Sequence, residues 1–340
     1  MHGETMAYIE RKELYKKLEV KRKRPLITYV TSIRPGCSAQ MAQDVLPEFI
    51  KQINTISKEY KKIDLLVLSN GGDPIVSWRI ITLLRKKFDK VSILIPYTAY
   101  SAATLLALGG DEIIMHSHGN LGPIDPQINI NTPQGQTTIG YEDIIKYIEF
   151  VKGIGITDQE LVQKSFEKLT AEIAPTAIGF AKRSSQLGLT MGEKLLATHM
   201  TDENKTKVIS ETLNSKFYHH GYPLGRKEAK EIRLPIAKAN IEIEDIIWGI
   251  CEDIMEELEF NKVFDPESMI KDKIAQQPQP QSNIVNTVSE KIKLAFLEST
   301  RLNCYIKNEF IANYIMLPDT SLNVNIMTRN GSWEREKGEE

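Results

Sequence analysis

Val91-Ser92-Ile93-Leu94-Ile95-Pro96-Tyr97-Thr98-Ala99-Tyr100-Ser101-Ala102-Ala103-Thr104-Leu105-Leu106-Ala107-Leu108 reads as a short apolar strand, a tight loop and a helix of small and aliphatic residues. The same order recurs on both sides of it. Upstream, Leu26-Ile27-Thr28-Tyr29-Val30 is a first strand, after which Val45, Leu46, Phe49, Ile50, Ile53 and Ile56 recur at helical spacing. Leu65 to Leu68 is a second strand, and Ile75 to Phe88 a helix with Trp78, Ile81 and Leu84 on one side. Downstream, Glu112 to Met115 is a further strand. Such alternation predicts an α/β fold with a mostly parallel sheet, right-handed crossovers and helices packed on it.

A serine at the start of a helix has two uses. Ser101 can cap the helix by accepting from a backbone N–H, or present its oxygen as a nucleophile where free N–H groups favour negative charge. Thirty residues earlier, Leu65-Leu66-Val67-Leu68 runs into Ser69-Asn70-Gly71-Gly72-Asp73-Pro74. Adjacent glycines let backbone N–H groups approach a cleft without Cβ interference, as a tetrahedral oxyanion requires; an ordinary turn before a helix is the plainer account. In parallel sheets ligands gather at the carboxyl ends of strands, so hydroxyl and donors fall on one rim.

Bulk properties narrow the partners. The 340 residues carry 43 Lys+Arg against 45 Asp+Glu, a balance that gives no push toward nucleic acid or anionic membrane. No apolar run reaches the roughly 18 residues needed to span a bilayer. Met1-His2-Gly3-Glu4-Thr5 lacks a signal-peptide apolar region, and a cytoplasmic location is expected. Cys37, Cys251 and Cys304 are scattered and odd in number, which fits reduced thiols. Among them only Cys37, in Pro35-Gly36-Cys37-Ser38, has a loop setting in which a nucleophile is conceivable; a plain loop thiol is the simpler assignment.

After Met115 comes the loop His116 to Gln127, then polar, turn-rich sequence to Gly140, and a largely helical stretch to about Leu234. Thr157-Asp158-Gln159-Glu160 is a capping box opening one helix, and Thr201-Asp202-Glu203 opens another. Ile241 to Leu258 reads as a long acidic amphipathic helix, Gln276 to Ser282 as a linker, and Ile292 to Met327 as β-rich. The expected division is an N-terminal segment 1–25, a main domain 26–235, a helical extension 236–274, a linker 275–285 and a small β-rich tail module 286–340. Lys21-Arg22-Lys23-Arg24 reads as solvated charge ahead of the first strand.

Three stretches together, Ser69 to Pro74, Tyr100 to Thr104 with Gly110-Asp111-Glu112-Ile113, and Leu121-Gly122-Pro123-Ile124-Asp125-Pro126-Gln127, resemble the serine dehydrogenase proteinase family. That family is related to the signal peptide peptidase A and Clp protease folds. The resemblance covers about Leu26 to Gln127 and, more loosely, the helical part to Leu234. It implies a Clp/crotonase-type fold of repeated ββα units, Ser101 as nucleophile, and oxyanion donors from Gly71 and Gly72 joined by the N–H of Ala102. It also implies a homo-oligomer whose site is completed at subunit contacts, acting on a peptide or protein substrate with no cofactor. Two departures stand out: Ala103 replaces a glycine common in relatives, and the membrane anchor of several relatives is not apparent.

The general base is less legible. A triad needs a histidine and a carboxylate. In Clp protease the histidine follows the serine by some two dozen residues, a place held here by Asp125. The signal peptide peptidase A relatives use a lysine forty to fifty residues beyond the serine, kept neutral by burial. Lys146 and Lys152 fall in that window, Lys152 being preferred by spacing, with Lys182 later; a solvated helix face explains them equally well. His116 and His118 are alternative bases, and as a metal pair they lack a carboxylate cluster. Asp125 before proline is either a turn residue or a group orienting the base. His219-His220-Gly221-Tyr222-Pro223 reads as structural.

Three functions compete. The first is a serine endopeptidase with a Ser/Lys dyad and a glycine-loop oxyanion hole; with no P-loop, ATP dependence would need a separate unfoldase. The second is a Clp-fold assembly or binding protein that has lost its base. The third is a crotonase-type acyl-CoA enzyme, which would not need Ser101.

Overall fold

The computed structural model describes residues 2–132, 135–217, 219–238, 240–276, 285–317 and 322–337. Helix α1 (His2–Arg22) leads to β1 (Leu26–Thr31), then α2 (Leu46–Thr55), β2 (Lys62–Leu68), α3 (Pro74–Arg85), β3 (Lys90–Ile95), α4 (Ala102–Leu108) and β4 (Glu112–Met115). Strands β1 to β4 pair in parallel in chain order. They are buried on both faces, which is why each reads as a continuous apolar run rather than an alternation.

The segment expected as turns contains a hairpin of β5 (Gln127–Thr132) and β6 (Gly135–Gly140). Helices α5 (Tyr141–Gly153), α6 (Gln159–Glu172), α7 (Pro175–Leu196), α8 (Glu203–Ser215), α9 (Arg226–Glu231), α10 (Ile241–Glu257) and α11 (Pro266–Ala275) follow. Asp158 and Asp202 cap α6 and α8 through their side chains. Four strands close the chain: β7 (Asn286–Glu298), β8 (Leu302–Met316), β9 (Leu322–Arg329) and β10 (Trp333–Lys337).

These last strands, expected as a β-rich tail, are present and continue the main sheet. Strand β7 pairs antiparallel with β1, Thr28 opposite Glu298 and Thr31 opposite Ala295, giving an eight-stranded sheet in the order β9-β8-β7-β1-β2-β3-β4, with β10 also on β8. Leu297, Leu302 and Cys304 share one core with Tyr29, Phe49 and Leu65. Without β7, β1 would be an edge strand with apolar side chains on both faces. Most of the expected linker, residues 277–284, lies outside the described residues.

The sheet is covered on both faces. One layer includes α2, α3, α4 and α7; the other is made by α1 and α10, whose Tyr15, Leu18, Ile247 and Ile254 pack on Leu66 and Leu94. Helix α1 is anchored by a buried ion cluster. Arg11 donates from Nε and Nη2 to Glu298 (3.0 and 2.9 Å), from Nη2 to Glu257 (2.7 Å), and from Nη1 to Asp253. The basic cluster at the end of α1 is likewise not simply solvated: Arg22 grips buried Asp64 with two bonds (2.8 and 3.0 Å) and Glu112 with a third, and Arg24 reaches Ser92. Among the described residues no helix is long and apolar enough to cross a membrane.

What positions the site is a small second sheet above the carboxyl ends of β2 and β3. Thr98–Ala99 runs parallel to Asn120–Leu121, which pairs antiparallel with Leu224–Gly225. Three segments far apart in sequence, leading to Ser101, Asp125 and from His220, are thereby brought together.

Candidate active site

Ser101 occupies the turn between the Thr98–Ala99 strand and α4 with φ +51° and ψ −117°. A non-glycine residue in that conformation costs on the order of 1–3 kcal/mol and persists only where its surroundings enforce it. Ser101 makes no side-chain cap to α4, so the capping role open to it in sequence is not taken. A serine raised on a strained strand-to-helix turn is the geometry of a nucleophile elbow. The backbone there is fixed: Ala103 N–H donates to Tyr100 O (2.9 Å), Leu105 N–H to Ser101 O (3.0 Å), and Ser77 Oγ to Ala102 O (2.6 Å).

The glycine loop lies against this turn. Gly71 and Gly72 have φ of +100° and +148°. A Cβ on Gly71 would stand 2.6 Å from Tyr100 O and 2.8 Å from both Ala102 N and Ser101 Cβ, so only glycine permits the approach. The N–H of Gly71, expected as an oxyanion donor, donates to Ser69 Oγ at 3.0 Å. Its carbonyl accepts from Met41 N–H, and Asp73 N–H donates to Met41 O. Between these bonds, the Gly72 N–H has no hydrogen-bond partner among the described residues, and neither has that of Ala102. Gly71→Ala is expected to reduce any activity of this site about 100-fold, since displacements near 1 Å cost that much. The variant's rate on an ester substrate measures it, and a near-normal rate would refute the close-approach argument.

His220 was not singled out as functional by its sequence, yet its Nδ1 lies 2.9 Å from Asp125 Oδ1. Gln127 Nε2 donates to the other Asp125 oxygen at 3.0 Å. Where the carboxylate accepts from Nδ1, the neutral imidazole tautomer has Nε2 as its acceptor. His220 lines a cleft of about 600 Å³ together with Ser101, Ala102, Gly71 and Gly72. No spacing rule marks His220, because 95 residues separate it from Asp125.

The lysines are elsewhere. Lys146 is exposed and paired with Glu149 one turn along α5 (2.7 Å); Lys152 and Lys182 are exposed, and none of the three lines the cleft. A lysine base must be desolvated to be neutral, and these three side chains face solvent. His116 stacks on Trp248 with ring centroids 4.9 Å apart, and His118 meets the same indole edge-on; neither lines the cleft. Cys37 is buried, and burial pushes its thiol pKa up, the opposite of an activated nucleophile. Among the described residues no His, Cys, Asp and Glu side chains cluster as metal ligands.

The chain is 29% identical over 189 residues to uncharacterized protein MJ0137 of Methanocaldococcus jannaschii, covering 56% of this chain and 58% of that one. It is 28% identical over 181 residues to MJ1495 of the same organism, covering 53% and 54%. The match thus spans little more than half the length of these curated relatives. Among solved structures, a 1510-N membrane-bound stomatin-specific protease aligns with a TM-score of 0.39 at 15% identity, over 66% of this chain and 84% of that one. ClpP1 from Listeria monocytogenes aligns at 0.32 and 13%, over 68% and 99%. Residues 4–252 match the family described as ClpP-like SDH-type serine proteinases, and the chain belongs to that family.

Proposed function

We propose that the protein is a serine endopeptidase working through an acyl-enzyme, with Ser101 as nucleophile, His220 as general base and Asp125 as its orienting carboxylate. The observation that carries this reading is that His220, with Asp125 2.9 Å from its Nδ1, lines the cleft that holds the strained Ser101. Nε2 of His220 takes the Ser101 proton as Oγ attacks the peptide carbonyl carbon. The carbonyl electron pair moves onto oxygen, where the Gly72 and Ala102 N–H groups receive it. The imidazolium then gives its proton to the departing amine. Water, deprotonated by the same imidazole, releases the acyl group and regenerates Ser101. Leu105, Ile124, Ile128, Phe180 and Leu187 line the cleft and offer apolar surface to substrate side chains.

This reading replaces a Ser/Lys dyad because His220 lines the cleft and the lysines do not. The inactive scaffold loses its motive with the missing base supplied. An acyl-CoA enzyme gives no reason to hold a serine in a strained turn. Assembly into a homo-oligomer remains part of the proposal: α6 has no buried residue, and its Leu161 and Phe166, with Phe150 and Ile154 nearby in sequence, are exposed. Three buried, unpaired cysteines favour a reducing compartment such as the cytoplasm.

A fluorophosphonate probe with mass-spectrometric mapping tests the reading. Modification is expected at Ser101 and at no residue of Ser101→Ala. A folded protein left unlabelled across the neutral pH range would sink it.

A further inference from the structure

The oxyanion donors sit on two different loops, Gly72 after β2 and Ala102 after the Thr98–Ala99 strand, and a hole works only if their spacing is fixed. Ser69 bonds to both loops. Ser69, fully buried, uses its backbone on the nucleophile side: its N–H donates to Thr98 O (3.0 Å), and its carbonyl accepts from Tyr100 N–H (3.0 Å), next to Ser101. Its side chain works on the glycine side, where Oγ accepts the Gly71 N–H at 3.0 Å. Behind it stands a second fully buried hydroxyl, Thr31 Oγ1, 2.6 Å from Ser69 Oγ and carried on β1. The Gly71 bond has a further effect. It commits the N–H that precedes Gly72, so the Asn70–Gly71 peptide is held in one orientation while the next N–H stays uncommitted.

We propose that Ser69, backed by Thr31, is the positioning residue of the oxyanion hole, setting the Gly72 N–H against the Ala102 N–H from one point on the sheet. The proposal rests on the serine-peptidase reading. Ser69 does not touch the reacting atoms, and its hydroxyl transfers no proton to substrate. Its influence is exerted on the position of a backbone donor, and therefore on the step in which negative charge develops. Binding of substrate in the ground state needs no such donor spacing, so the effect falls on the chemical step. The inner hydroxyl is the stronger lever, since it holds the loop directly; the outer one holds the inner one's orientation.

The test is saturation kinetics of a fluorophosphonate probe on the full chain, giving the maximal labelling rate and the half-saturating concentration separately. Ser69→Ala is expected to lower the maximal rate about 10- to 100-fold at unchanged half-saturation, by comparison with the loss of one oxyanion donor. Ser69→Thr, which keeps the hydroxyl, is expected to recover most of it. A merely structural serine would lower the melting temperature without changing the rate of the folded fraction. Wild-type rates in folded Ser69→Ala, or a loss confined to half-saturation, would overturn the proposal. Should Ser69→Ala not fold, Thr31→Val decides: a reduced maximal rate supports the relay and an unchanged one overturns it. Absence of labelling in the parent protein is a different result, which removes the peptidase reading itself.

Discussion

Ser101→Ala and His220→Ala are each expected to lower peptide hydrolysis by about ten-thousand-fold, and combining them is expected to cost hardly more. Members of such a unit act together, so losing either leaves only the catalysis that donors and binding provide. Asp125→Asn is expected to fall almost as far, because an amide can donate to Nδ1 and hold the imidazole in the tautomer whose Nε2 carries the proton. Lys146→Ala and Lys152→Ala, by contrast, remove exposed charges from α5 and are expected to leave the rate within about a factor of two. Turnover of a fluorogenic peptide by the variants separates the two bases. A His220→Ala protein with a tenth or more of the parent rate would refute the triad, and a collapse on losing Lys152 would restore the dyad.

Arg11→Met is expected to cost about 3–5 kcal/mol of folding stability, a large share of the 5–15 typical of a whole domain. The guanidinium is fully buried and contacts Glu298, Glu257 and Asp253 on β7 and α10, with Tyr15 Oη a further partner at 3.1 Å. Methionine fills much of the volume but removes the guanidinium from three carboxylates, of which Glu257 also pairs with Lys293. Burial already raises the pKa of Asp253 despite Arg11. A double replacement of Arg11 and Glu298 by methionine is expected to recover part of the loss, because it removes the orphaned charge as well as its partner. Denaturant midpoints of the three proteins provide the measurement; a single-variant loss under 1 kcal/mol would mean that the cluster is solvated.

The sequence announces what is local. Buried parallel strands such as Leu65 to Leu68, and helices with apolar residues at helical spacing, declare themselves within a window of a dozen residues. Helix α1 does not, because its buried face includes Tyr8, Arg11 and Tyr15, whose polar ends also find partners hundreds of positions away. Hairpin β5–β6 hides for another reason: Ile128 and Ile130 are the buried apolar residues of β5, and β6 is mainly polar. At the candidate site, Ser101 and the two glycines stand out because elbows and close approaches demand particular residue types. His220 does not, since its significance lies in a partner brought to it by the Leu224–Gly225 strand. Gly71 illustrates a finer limit: the pattern of two glycines is legible, but which N–H is already spoken for depends on the side chain of Ser69.

The antiparallel pairing of β7 with β1 has a consequence for the birth of the molecule. At roughly 5–20 residues per second, about 13 to 55 seconds pass between synthesis of Thr28 and of Glu298, its partner on the neighbouring strand. Throughout that interval the parallel core can form while one flank of its first strand stays open, apolar on both faces and ready to accept any extended segment. A ribbon synthesised much later therefore acts as the seal on strand β1. The nascent chain is most vulnerable to wrong partners when nearly all of the proposed catalytic residues have already been made.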